Sequence, residues 1–272
     1  MAEREAVQKK PEEVDEMTIL GRATQIFVIT EFELRKLRHD FSQVFMRVVQ
    51  PTLWLLVFGQ VFTRTRVLST GAYTYLQFLT PGVLAQSVIF VAIFYGLTLV
   101  WERDLGLLHK LLSTPAPRYT IVIGKALSAG VRSIIQAIVV FILALIIGVH
   151  LKFDVFSTAG VTVVIVLCGM CFSSLSMLLA ALMKTRERMM GIGQAITMPL
   201  FFASSAIYPV DIMPYWLKVT VRFNPLSYVV DAMRSMLVTG NLKTLPADLG
   251  ALVLATALLL GLTSASLSRI IR

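Results

Sequence analysis

The sequence predicts an all-α integral membrane protein. It has six transmembrane helices, an N-terminal amphipathic interfacial helix, a cytoplasmic helix between the second and third spans, and short outer helices before the last span. Three observations carry this. Of 272 residues, 56% are hydrophobic and 15% charged, against roughly 45–50% and about 25% in soluble domains; the mean hydropathy is +0.77. So few charged residues cannot cover the surface of a soluble fold of this size. Six runs of apolar residues are each long enough to cross a hydrocarbon core of about 30 Å. The basic residues are distributed unequally between the loops on the two sides of those runs. High hydrophobicity excludes a disordered chain, and two cysteines are too few for a disulfide scaffold.

Residues 1–24 form a charged cytoplasmic tail, with Glu3, Arg4, Glu5, Lys9, Lys10, Glu12, Glu13, Asp15 and Glu16. With no early apolar core, no cleavable signal peptide is expected and the first span acts as the start signal. Residues 25–43 read as the interfacial helix. At about 100° per residue, Ile26, Phe27, Thr30, Leu34, Leu37 and Phe41 fall on one arc, and Glu31, Glu33, Arg35, Lys36 and Arg38 lie outside it. The apolar face either sinks into the headgroup boundary, where the basic residues meet anionic lipid, or packs on protein.

Residues 44–272 form the membrane domain, with spans at about 44–63, 77–100, 126–148, 159–182, 191–209 and 247–268. With a cytoplasmic N-terminus, seventeen of the 25 Lys and Arg flank the inner side and seven the outer, while Arg132 lies inside the third span. Positive charge is retained on cytoplasmic flanks, which places both termini inside. The formal net charge of +9 is thereby a topology signal spread over loops, not a nucleic-acid surface.

Signals for catalysis are poor. The chain has no Gly-x-x-x-x-Gly-Lys-[Ser/Thr]; Gly124-Lys125-Ala126 lacks the earlier glycine and the hydroxyl. His39, His109 and His150 sit in separate loops without clustered carboxylates or thiols, so no metal site is expected. Cys168-Gly169-Met170-Cys171 has redox spacing but lies mid-span, where a thiolate is costly, and reads as packing beside Ser173, Ser174 and Ser176. Small residues recur four apart at Ala126 and Gly130 and at Ala257, Gly261 and Ala265, faces that let helices approach closely. No span carries the Asp or Glu that a proton- or sodium-coupled carrier places at mid-membrane. Gln50, Gln86, Gln136 and Gln194 are intramembrane amides that glue helices or line a path. Arg132 either faces a polar cavity or snorkels to the headgroups.

Two stretches between spans are the most informative. From Trp101 to Arg118, apolar residues at 101, 105, 108, 111 and 112 recur at helical spacing, Glu102 and Asp104 suit a helix N-terminus, and Pro115 forces an end. A short amphipathic helix over 101–114 is expected below the membrane, packed on lipid or docked to a soluble protein. Before the sixth span, Pro209, Pro214 and Pro225 divide the chain into two short outer helices, with Tyr215, Trp216 and Tyr228 in the interface belt.

In these two stretches the sequence resembles the permease subunits of type-two ABC exporters, the group of daunorubicin-resistance permeases and nodulation lipo-oligosaccharide, O-antigen and teichoic-acid exporters. The inner motif is matched by Glu102, Arg103, Gly106, Leu111, Leu112, Thr114 and Pro115, with Arg118 and Gly124-Lys125 following. The outer motif is matched by Tyr208-Pro209, Met213-Pro214, Trp216 and Asn224-Pro225-Leu226-Ser227-Tyr228. After Gly106 this chain has Leu107, Leu108 and His109 where the family often has Thr-Leu-Glu.

The resemblance implies a transporter subunit with no catalytic, cofactor or metal site of its own, forming a homodimer or pseudo-dimer in a bacterial or archaeal plasma membrane. ATP and magnesium would bind two copies of a separate ABC ATPase. The interfacial helix and the helix after the second span, the coupling helix, would transmit nucleotide-driven closure, with Glu102 and Arg103 meeting the ATPase. The mostly apolar lining suits a drug, antibiotic or lipid as substrate. A lipid-linked polysaccharide or lipo-oligosaccharide is the alternative, and a non-transporting membrane scaffold the alternative of another class.

Overall fold

A computed structural model describes residues 11–35, 47–65, 73–113, 117–152, 154–183 and 186–267, and among these every regular element is helical. We label the helices α1 (Pro11–Arg35), α2 (Val49–Leu53), α3 (Gln60–Thr65), α4 (Tyr75–Asp104), α5 (Leu107–Leu112), α6 (Arg118–Ile146), α7 (Val155–Leu182), α8 (Arg186–Phe202), α9 (Tyr215–Phe223), α10 (Pro225–Arg234) and α11 (Leu245–Ser266). A π-helical segment, Trp54–Gly59, joins α2 to α3.

Four helices, α4, α6, α7 and α11, are long and apolar enough to cross a membrane. They correspond to the second, third, fourth and sixth expected spans. Helix α4 begins where Thr74 makes a capping box: its hydroxyl accepts from the Gln77 N–H at 3.3 Å, and the Gln77 side chain accepts from the Thr74 N–H at 3.0 Å. Buried almost along its whole length, α4 packs on α6, α7 and α8. Helix α7 is its main partner, and the Ser176 hydroxyl donates to the Ile93 carbonyl at 2.6 Å. Cys168 and Cys171 are free thiols buried in this core, as their mid-span position implied. Ala257, Gly261 and Ala265, in contrast, lie on the exposed face of α11.

Four boundaries differ from expectation. Helix α1 is already formed at Pro11, well before the expected start at residue 25, and the expected continuation over 36–43 lies outside the described residues. The first expected span is described only from residue 47, and its helical part runs from Val49 to Thr65. The fifth ends at Phe202 instead of 209, because hydrogen bonds from outside the helix close it there. The expected helix over 101–114 is divided: α4 continues to Asp104, the chain turns at Leu105-Gly106, and α5 restarts at Leu107. Gly106, at φ +72°, takes the left-handed conformation that terminates a helix cheaply only for glycine.

Candidate functional site

Three elements distant in sequence meet at the end of the bundle that the sequence places in the cytoplasm. Helix α1 lies on α6. It comes so close that a β-carbon on Gly124 would stand 2.8 Å from Cγ2 of Ile29, so the crossing requires glycine. The hydroxyl of the next residue, Thr30, donates to the Gly124 carbonyl at 3.2 Å. The next residue of α6 is Lys125, whose ammonium donates to Glu33 Oε1 of α1 at 2.7 Å and to Glu102 Oε2 of α4 at 2.5 Å. The three side chains are 3%, 2% and 9% exposed.

Two turns further along α6, the Arg132 guanidinium donates to the Glu33 backbone carbonyl and stands 4.4 Å from the Tyr95 ring centre. Tyr95 Oη in turn lies 2.7 Å from the Ser128 hydroxyl. Two carboxylates and two cations balance, which is the condition under which ions tolerate burial. Leu108 of α5 is fully buried in the adjoining apolar cluster with Val100, Val122 and Met177, so the short helix is held to the same end.

This arrangement revises several expected roles. Glu33, which the helical wheel puts outside the apolar arc, is the residue α1 turns inward, because a buried ammonium needs its carboxylate more than water does. Phe27 faces outward at 68% exposure, Leu34 is half-buried, and Arg35 pairs with Glu31 at 2.6 Å. Lys36, Leu37, Arg38 and Phe41 lie outside the described residues, as do Thr114 and Pro115. Glu102 is buried against Lys125. Arg103 reaches the Met183 carbonyl at 3.3 Å and the Asp104 carboxylate at 3.2 Å. Leu111 is half-buried, and Leu112 ends α5. Arg132 is half-buried, with its guanidinium against the Glu33 carbonyl and the Tyr95 ring.

Three of the four intramembrane amides come together, while Gln194 is exposed on α8. Gln50, Gln86 and Gln136 line a cavity of about 250 Å³ between α2, α4 and α6, together with Arg47, Pro51, Ser87 and Phe90. Gln86 and Gln136 are buried, and Gln136 Nε2 has no hydrogen-bond partner among the described residues.

At the opposite end, the outer motif works through backbone groups. Asn224 caps two helices at once: its Oδ1 accepts from the Leu226 N–H at 3.0 Å to start α10, and its Nδ2 donates to the Leu200 and Ala203 carbonyls, both at 2.7 Å, to end α8. Pro225 then fills the first helical position. The Tyr208 hydroxyl donates to the Phe202 carbonyl and that of Tyr228 to the Arg222 carbonyl. Pro209 and Pro214 flank the 3₁₀ turn Val210–Ile212, and Trp216 on α9 is exposed.

Arg234 lies beneath them. It donates to Asp231 at 3.1 Å and to the Ser205 carbonyl at 2.7 Å, and its guanidinium stands 3.8 Å from the Phe78 ring centre. Burial pushes the Asp231 carboxyl above its ordinary range, opposed by Arg234 and by the Ser205 hydroxyl, which donates to it at 2.7 Å. Sequence reasoning missed Glu33, Asp231 and Arg234 as structural nodes; the i, i+3 spacing of Asp231 and Arg234 was the available signal for the last pair.

Residues 24–238 match the family described as ABC-2 type transporter. A protein named as transport permease ycf38 of Cyanophora paradoxa is 28% identical over 213 residues, covering 77% of this chain and 73% of its own length. The protein of the same name from Porphyra purpurea is 30% identical over 69% of this chain and 65% of its own length. The daunorubicin resistance ABC transporter permease protein DrrB1 of Streptomyces coeruleorubidus is 25% identical over 74% of this chain and 70% of its own length.

Proposed function

The chain belongs to the ABC-2 type transporter family, and on that premise we propose that it is the permease subunit of an ATP-driven exporter that moves a hydrophobic or amphipathic substrate, a drug, antibiotic or lipid, out of the cytoplasm or inner leaflet. Permeases of this type are not enzymes; ATP hydrolysis belongs to a separate ABC ATPase subunit. In this reading two copies of the chain meet two ATPases, which carry the ATP and magnesium. The membrane is the plasma membrane, both termini face the cytoplasm, and the α2–α3 and α8 segments complete six crossings. A relative named for daunorubicin resistance supports the amphipathic substrate.

The observation that carries the reading is the Glu33–Lys125–Glu102 junction. It binds the amphipathic helix, the end of α4 and the start of α6 into one unit, beside the short helix a soluble subunit can reach. Closure of the ATPases would push α5, and Leu108 would pass the displacement to the junction. Trp101, Leu105 and Leu107 present exposed apolar surface on this same segment, which suits contact with a protein groove. Glu102 acts in this scheme as an internal strut and not as the contact itself.

The test is substrate-stimulated ATP hydrolysis by the complex of this chain with its ATPase, reconstituted in lipid. Replacing all three junction residues by neutral ones of similar size, Glu33→Gln, Glu102→Gln and Lys125→Met, removes the ion pairs and leaves Arg132 with the Glu33 backbone carbonyl and the Tyr95 ring it already contacts. The complex should still assemble while stimulation falls at least tenfold. Unchanged stimulation and export in that variant would sink the assignment.

A further inference from the structure

The cavity between α2, α4 and α6 has no part in that junction. We propose that it is the site where the acidic head of an anionic amphiphile, a phosphate or carboxylate on an apolar tail, is held during transport. The inference rests on the exporter reading and names the chemistry of its substrate.

Its depth is the first support. Gln86 lies eleven residues from the start of α4 and Gln136 ten from the end of α6, which at 1.5 Å per residue is about 15–17 Å from the outer helix ends. That is near the middle of a hydrocarbon core of about 30 Å, where polar groups are costly unless they serve a path.

The donor inventory is the second. The amide nitrogen of Gln136 is buried and has no hydrogen-bond partner among the described residues, so its two N–H donors face a polar space unused. The lining brings the further amides of Gln50 and Gln86 and the guanidinium of Arg47, and no carboxylate. The acceptor best matched to this set carries a negative charge, since charge-assisted hydrogen bonds are about twice as strong as neutral ones.

Size and surroundings are the third. About 250 Å³ is below the roughly 300–1,000 Å³ of sites that enclose a whole drug-sized ligand, so a head group fits and the remainder must lie outside. Phe90 and Pro51 form the apolar part of the lining, and Val49 and Leu53, which flank Gln50 on α2, are 58% and 55% exposed, giving a tail apolar surface to follow.

The experiment is native mass spectrometry of the full chain in a neutral detergent, titrated in parallel with dioleoylphosphatidylglycerol, dioleoylphosphatidylcholine, dodecyl phosphate and inorganic phosphate. The wild-type protein should retain the two anionic amphiphiles over phosphatidylcholine, with dodecyl phosphate bound and inorganic phosphate not. Gln136→Leu and Arg47→Gln should each lower their occupancy about tenfold, as loss of one hydrogen bond to a charged group does, and Gln136→Glu should abolish it. Melting curves settle folding, because Gln136→Leu removes an unsatisfied amide and should leave the melting temperature unchanged or higher.

Equal occupancy in wild type and all three variants, or parallel loss of phosphatidylcholine, overturns the site. Binding of inorganic phosphate as strong as that of dodecyl phosphate overturns the amphiphile and leaves a plain anion. If the preference depends on these residues but the same lipids fail to stimulate the ATPase of the complex, the head-group site stands and the exporter reading falls.

Discussion

Both ends of the bundle bury polar groups, but they do so with different chemistry. At the inner end, Lys125 joins Glu33 and Glu102 through side chains alone, each reaching from its own helix. At the outer end, Asn224 and Arg234 bind mainly carbonyls, those of Leu200, Ala203 and Ser205. A carbonyl is fixed by its helix, so a bond to it fixes where the helix stops. A carboxylate on a flexible side chain can keep its partner while its helix shifts. The outer end therefore holds α8, α10 and the intervening turn in one arrangement, whereas at the inner end α4 is tied to α6 through the Glu102–Lys125 side chains and α1 to α6 through side chains together with the Gly124 and Glu33 carbonyls. Energy delivered by a soluble partner has to enter where a helix can shift and keep its partner.

The largest expected effect comes from breaking the inner end at its centre. Lys125→Met leaves two carboxylates buried side by side with one cation, Arg132, reaching only the backbone of Glu33. Uncompensated buried charge costs about 3–5 kcal/mol, a large part of a typical stability of about 5–15 kcal/mol. The variant should give little folded protein, read by size-exclusion profile and melting curve. Adding Glu33→Gln and Glu102→Gln should restore folding. If the single variant folds as well as the wild type, the junction is not a closed ionic unit.

An intermediate effect is expected at the outer end. Asn224→Ala removes the cap of α10 and both side-chain donors to the end of α8, which together cost about 2 kcal/mol. Asn224→Asp keeps the acceptor for the Leu226 N–H but replaces the donor with a second acceptor facing two carbonyls, and should recover little. Neither should change how strongly substrate stimulates the ATPase, per folded complex. A selective loss of stimulation with normal melting would reverse the roles assigned to the two ends.

The contrast also separates what the sequence discloses from what it withholds. The four long helices are legible because an apolar run of sufficient length has few alternatives in a membrane. The division of the outer segment at Pro209, Pro214 and Pro225 is legible because proline cannot continue a helix. The point where α8 stops is not, since nothing local ends it at Phe202: the decision is made by Asn224, 22 residues on. Glu33 was similarly misplaced, because a helical wheel sorts residues by affinity for water and cannot know that Lys125 stands opposite. Of the intramembrane polar candidates, Gln50, Gln86 and Gln136 share a cavity, as their cost in hydrocarbon suggests, whereas Gln194 is exposed and Arg132 found its partners in a backbone carbonyl and an aromatic ring.

The smallest effect on stability should come from Gly106, and it tests the inner end most directly. The residue sits between α4 and α5 at φ +72°, with no atom within 4 Å of where a β-carbon would be. Alanine there meets no clash, and its only penalty is the left-handed backbone, about 1–2 kcal/mol. Part of that strain can be relieved by letting α4 run on into α5 as one helix, which would swing Leu108 out of its cluster with Val100 and Val122. If closure of the ATPase travels through α5, Gly106→Ala should reduce substrate-stimulated hydrolysis severalfold while the melting temperature falls by only a few degrees. Asparagine, which tolerates the left-handed region better than alanine, should restore part of the stimulation. Equal activity of all three forms would mean that the turn at Gly106 only ends α4, and that the signal reaches Lys125 through α1 instead.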